Sequence, residues 1–168
     1  FGGGRFKPRR IQLSARLDGS VKASDIIDIP VSLWKKIGGG TATRIVQGSD
    51  KGKDKDGGNF PPYTAKYAER KAAGKASPKG VGVSRQISPP NLRLTGEMLG
   101  SITSGNATKT GVDIILRDGL KIEGNAKRGR DIYGISPDNA SEIEKILADV
   151  IGKNIGKYAS IPIEIKIG

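Results

Sequence analysis

Hydrophobic and polar positions alternate at both ends of the chain. Ile11, Leu13, Ala15 and Leu17 alternate with Gln12, Ser14 and Arg16, which predicts a half-buried strand. Ile161, Ile163, Ile165 and Ile167 alternate with Pro162, Glu164 and Lys166. That pattern predicts a closing strand, which needs a sheet to pack on, either its own or a neighbour's edge. Between them the spacing turns helical. Val31, Leu33, Trp34, Ile37, Ile45 and Val46 follow Pro30 at helical intervals. Gly38-Gly39-Gly40 interrupts them, predicting a kink, a break or two short helices. Thr64 to Ala73 reads as a helix stopped at Gly74, with Tyr63, Tyr67 and Arg70/Lys71 recurring along it. Leu92 to Ile102 reads as a helix with Thr95 as N-cap and Leu99 and Ile102 on one face. Asp118-Gly119 predicts a hairpin pairing Thr110–Leu116 with a strand near Leu120–Ile122. Pro137-Asp138 opens the clearest helix, with Ile143, Ile146, Leu147, Val150, Ile151 and Ile155 on one face. Glu142 and Glu144 near its start and Lys153 and Lys157 near its end suit the helix dipole.

Composition changes this picture in one respect. Hydrophobic residues are 35% of 168, with 25 glycines and 9 prolines, so the core is modest and loops or arms are extensive. Residues 1–10 form a glycine-rich basic arm, expected to order only on a partner. One domain follows over 11–160, with long loops at 48–58 and 75–91, and 161–168 closes the chain as a strand or arm. Arms and loops of this composition suit a subunit whose extensions order across neighbours.

The side-chain inventory limits the chemistry. There are no cysteines and no histidines, which removes disulfides, thiolate metal sites and any Ser–His or Cys–His catalytic pair. Asp50, Asp54 and Asp56 resemble a calcium loop, but Lys51, Lys53 and Lys55 interleave with them and no bidentate glutamate follows. A lysin would need two positioned carboxylates, for which Glu69 and Glu97 are candidates by type only. No enzyme activity and no cofactor are expected. No run of 18 apolar residues occurs, so no membrane span is predicted. Phe1 to Arg5 has no signal-like apolar region, which sets the expectation of an intracellular product beginning after absent residues or after processing.

Net charge is +12, and it is uneven. Residues 1–60 hold 12 Lys/Arg against 6 Asp/Glu, residues 61–130 hold 13 against 5, and residues 131–168 hold 4 against 6. Such a surface favours a polyanion or an acidic partner subunit.

Three passages, in order, point to a family. They are Asn59-Phe60-Pro61-Pro62-Tyr63-Thr64 with Tyr67 and Lys71, then Leu94-Thr95-Gly96-Glu97-Met98-Leu99-Gly100-Ser101-Ile102, then Arg130-Asp131-Ile132-Tyr133-Gly134-Ile135-Ser136-Pro137. Over roughly residues 44–157 the chain resembles the phage virion-morphogenesis and tail-completion (neck) proteins, the group that includes the Mu virion-morphogenesis protein and the minor tail protein Z of lambda. The middle passage is the most specific. The third departs from the family pattern, with Ile132-Tyr133 where Phe-Leu is usual and without flanking prolines. The resemblance implies an α+β fold: a small, mostly antiparallel sheet packed by one or two helices, here with extended Gly/Lys-rich arms and loops. It implies a non-catalytic virion subunit in a ring at the head–tail junction, assembled in the host cytoplasm. Six or twelve copies suit the differing symmetries of portals and tails. The neighbours would be adaptor or portal-side proteins and tail-terminator or tail-tube proteins. A tail terminator or a head-side adaptor ring is the near alternative. A free, non-specific DNA-binding protein is the alternative from another class.

Within such a ring, three basic loops are candidates to contact the phosphates of double-stranded genomic DNA or acidic patches of a neighbouring ring. They are Lys51, Lys53, Lys55; Lys75, Lys79, Arg85; and Lys127, Arg128, Arg130. Aromatic residues are 5% of the chain, too few for base stacking along a strand. Trp34, Tyr63, Tyr67, Leu94, Leu99, Ile102, Tyr133 and Ile135 are candidates for core or intersubunit packing, with Tyr133 and Ile135 anchoring the start of the last helix. Thr95-Gly96 reads as a backbone requirement at a helix start.

Overall fold

The computed structural model describes residues 7–19, 21–77, 84–155 and 160–168. Strand β1 (Arg9–Ala15) leads through a short helix α1 (Ala23–Ile27) to the long helix α2 (Val31–Asp50). Helix α3 (Ala65–Ala72) and the single turn α4 (Glu97–Gly100) precede strands β2 (Ile102–Ala107) and β3 (Gly111–Leu116). Helices α5 (Gly119–Ala126) and α6 (Pro137–Ile155) and strand β4 (Ile163–Ile167) complete the chain.

The four strands form one antiparallel sheet in the order β2-β3-β1-β4. The alternation in β1 turns Ile11 and Leu13 inward, and β3 does the same with Val112, Ile114 and Leu116. These sets register against each other, Ile11 opposite Ile114 and Leu13 opposite Val112. Helix α2 packs on β2 and β3, and α6 packs on β4 and against α2. The core lies beneath them, with Trp34, Ile37, Ile143 and Leu147 on its helical side. The fold is therefore α+β, as the resemblance implies.

The glycine triplet does not interrupt α2, which runs unbroken from Val31 to Asp50. A Cβ on Gly38 would lie 2.5 Å from Ser104 Oγ and 2.7 Å from Val112 Cγ2. Glycine there lets the helix approach the sheet closely, and the burial gained outweighs the helical propensity lost. Gly38→Ala is expected to destabilise by a net ~1 kcal/mol: overpacking costs ~1–3 kcal/mol, offset in part by alanine's better propensity. Urea unfolding midpoints check this, with Gly39→Ala as control, since nothing lies within 4 Å of a Cβ at Gly39.

The predicted hairpin at Asp118-Gly119 is not formed. Asp118 instead holds the N-cap position of helix α5, its carboxylate meeting Lys121 Nζ at 2.7 Å. Ile122 faces the core and Leu120 faces solvent. Three alternating residues fit a helix turn as well as a strand, and packing decided between them. The hairpin partner of β3 is β2, which precedes it, through a turn closed by Thr108 N–H on the Gly111 carbonyl at 2.8 Å. The predicted helix over 92–102 shrinks to α4. Gly96, not Thr95, holds the N-cap position, at φ 88°. Ile102 begins β2, although both it and Leu99 are buried as expected.

The closing strand joins its own sheet beside β1, Ile165 opposite Leu13. Segment 48–58 is more ordered than its composition suggests. Its first three residues finish α2, and the Asp54 carboxylate accepts the N–H groups of Asp56 (2.9 Å) and Gly58 (2.7 Å). Phe60 N–H then donates to the Gly52 carbonyl at 2.7 Å. The loop is thus tied within the domain.

Candidate functional site

Between Pro61 and Asn91 the described residues, 61–77 and 84–91, form an excursion that joins no strand of the sheet. This excursion contains α3, whose only buried side chain is a lysine, Lys71, 1% exposed. Pro61-Pro62 delivers the chain to Tyr63, whose hydroxyl donates to the Asn91 carbonyl and so closes the excursion at its neck. Lys71 Nζ donates to Asn91 Oδ1 at 2.7 Å and to the Tyr63 hydroxyl at 3.1 Å. Among the described residues no carboxylate pairs with Lys71. Arg130 is also buried, and it donates from Nε to the Pro61 carbonyl (3.2 Å) and from Nη2 to the Pro62 carbonyl (2.9 Å). Both cations lie 4.7 Å from the Tyr63 ring centroid, and Tyr67 meets that ring edge-on at 5.0 Å. Burial, with repulsion from Arg130, lowers the Lys71 pKa from 10.5 to about 8. Burial, with Tyr67 adding, pushes the Tyr63 hydroxyl up to about 12. The four groups form a polar clasp that holds α3 where apolar packing does not.

Arg130, predicted among the exposed cations, belongs to this clasp, because its guanidinium is committed to two carbonyls and a ring. Lys71 and Asn91 were not among the sequence candidates. A lysine in an amphipathic helix carries no sign of burial, and the turn that aims Asn91 at it exists only in three dimensions.

The remaining basic candidates divide by what they face. Lys53 Nζ donates to Asn59 Oδ1 at 2.8 Å, and Lys55 pairs with Asp56 at 2.9 Å, which raises the Lys55 pKa. Lys127 pairs with Glu123 at 3.0 Å, and Arg128 donates to the Gly124 carbonyl at 3.2 Å. Lys55 N–H donates to the Asp131 carbonyl at 2.7 Å, which brings the 51–58 and 127–134 loops side by side. Lys51 is exposed, with no carboxylate partner among the described residues. Lys75 and Arg85 are exposed beside α3, whereas Lys79 lies outside the described residues.

The packing candidates mostly lie in the core. Trp34, Leu99 and Ile102 are buried, Leu94 is half-buried, and Ile135 packs on the core's margin. Tyr133, ahead of α6, does more than anchor that helix. Its hydroxyl, with one proton to donate, lies within hydrogen-bond reach of the carbonyls of Arg10 (3.0 Å) and Gly168, and its ring lies under the Arg9 guanidinium at 5.0 Å, so it ties β1 to the end of β4. Among the described residues, no group of three or more acidic side chains comes together to hold a metal, and no helix is long and apolar enough to cross a membrane.

The geometry defines a small α+β protein with a helical excursion rich in cations. Neither a family model, nor a curated protein, nor a solved structure matches the chain.

Proposed function

We propose that the chain is a structural neck, or tail-completion, protein of a tailed bacteriophage. It forms part of a ring that joins the DNA-filled head to the tail and lines the DNA channel. The observation that carries this reading is the Leu94–Ile102 passage. Its Thr-Gly pair supplies a left-handed residue, Gly96 at φ 88°, before a single helical turn that places Met98, Leu99 and Ile102 in the core. A fixed backbone need at that spot is a reason for the motif to be held as a unit. The absence of histidine and cysteine from the sequence suits a role in assembly better than one in catalysis. The partners in this reading are copies of the chain, the adjacent adaptor and tail proteins, and DNA held without base recognition.

Electron microscopy of particles from a phage lacking the gene tests the proposal. Filled heads and finished tails that do not join are expected. Normal, infectious virions would overturn the neck reading. They would favour the second reading, a free non-specific DNA-binding protein, which the exposed cations around α3 support by themselves.

A further inference from the structure

We infer that the exposed face of α3 and the residues flanking it, Lys66, Arg70, Lys75 and Arg85, form the phosphate-contacting surface for double-stranded DNA. This deepens the reading above by locating its DNA contact, and it rests on that reading only for where in the particle the contact is made.

The first support is the distribution of neutralised charge. Elsewhere on the described surface some cations face a carboxylate, Arg9 with Glu123, Arg10 with Asp113, Arg44 with Glu142, Arg93 with Asp50, Lys121 with Asp118 and Lys166 with Glu164, while others, Lys35, Lys36, Lys109 and Arg117 among them, do not. Lys53 and Lys55 are likewise engaged. Across residues 61–91 the only acidic residue is Glu69, against six lysines and arginines. Lys66, Arg70, Lys75 and Arg85 are exposed and pair with no carboxylate among the described residues.

The second support is geometry. Lys66 and Arg70 sit one turn apart on α3, about 6 Å along its axis. The Arg70 guanidinium reaches the Lys75 carbonyl at 3.4 Å, and the Arg85 guanidinium lies against Gly74, within 3.2 Å of where a Cβ would stand. Arg70, Lys75 and Arg85 therefore gather at the C-terminal end of α3, with Lys66 one turn further back on the helix. Lys71 and Arg130, both buried, add positive charge that no carboxylate pairs among the described residues, and these charges reinforce the potential at the surface.

The third support concerns the partner. Within α3 itself the exposed apolar residues are alanines, so the helix has no bulky side chain to insert into a lipid surface. The nearby aromatics, Tyr63 and Tyr67, are engaged with each other and with the clasp, so they offer neither a stacking platform nor a protein hot spot. What remains exposed are flexible cations suited to phosphate backbones, without base readout.

The test is binding of the purified full chain to a short DNA duplex across a salt series, using two unrelated sequences. Replacing Lys66, Arg70, Lys75 and Arg85 with alanine is expected to weaken binding about tenfold or more at low salt. The slope of log affinity against log salt should fall by about 3 to 4, equally for both duplexes. A Lys53→Ala, Lys55→Ala, Lys127→Ala comparator should lower that slope by less than about 1. Circular dichroism of each variant establishes that it is folded. Unchanged affinity in the α3 variant, or an equal loss in the comparator, would overturn the inference. Virions that assemble normally without the gene would sink the neck reading and leave this surface assignment standing.

Discussion

Trp34→Ala is expected to destabilise the protein by about 3–5 kcal/mol, enough to threaten folding in a domain with a modest core. Trp34 is fully buried, and it lies one helical turn before Gly38, at the point where α2 closes on the sheet. The truncation removes a large indole from a place where the backbone has little room to collapse, because Gly38 already brings the helix hard against Ser104 and Val112. It also removes the indole N–H that donates to the Lys109 carbonyl at 3.2 Å, in the turn between β2 and β3. Trp34→Phe separates the two contributions: it retains most of the apolar volume and loses the hydrogen bond, and is expected to cost about 1–2 kcal/mol. Urea unfolding of both variants, followed by circular dichroism, reads these values. A Trp34→Ala variant as stable as the parent would mean that the side chain serves an interface and not the core.

Stability should rise between pH 7 and pH 9.5 by about 1–2 kcal/mol, and Lys71→Met should abolish that rise. The sign follows from the proton inventory. The Lys71 pKa is about 8 in the fold and 10.5 when unperturbed. Between those values the unfolded chain keeps a proton that the folded chain has released, so stability increases with pH there. Below pH 8 the folded protein carries the full cost of holding the ammonium out of water. The figure is discounted from the whole shift for partial solvent screening of the site. Tyr63 sets the upper bound of the window. Its hydroxyl ionises near pH 12 in the fold against 10.0 ordinarily, so above pH 10 it destabilises the folded state. At pH 7 the Lys71→Met variant should lie within about 1 kcal/mol of the parent, because relief from the buried charge offsets the hydrogen bonds lost to Asn91 and Tyr63. Parallel pH profiles for parent and variant would exclude Lys71 as the titrating group.

The clasp also gives α3 a distinct character. Apolar burial holds α2 and α6, whereas α3 is held by hydrogen bonds and cation–ring contacts around a charge that is costly to bury. Elements held in this way open at lower free energy than the core.

How much was legible in advance depended on the range of the interaction. β1, β4, α3 and α6 follow from local periodicity, because a strand or helix with one apolar face shows its period in the chain itself. The end of α3 at Gly74, which adopts φ 73°, is legible for the same reason. The unbroken course of α2 was not, because the close approach that rewards Gly38 is made by Ser104 and Val112, more than sixty residues away. The partner of β3 was misplaced because three alternating residues after Asp118-Gly119 support strand and helix equally, and only the burial of Ile122 distinguishes them. In the candidate site, the excess of lysine and arginine was plain from composition. Which cations remain free was decided by tertiary structure, since a carboxylate neutralises a lysine only if the fold brings it within a few ångströms. Arg130 and Lys71 show the same division. Their charge is written in the chain, but whether each faces water or a tyrosine ring is settled by where Pro61, Tyr63 and Asn91 come to rest.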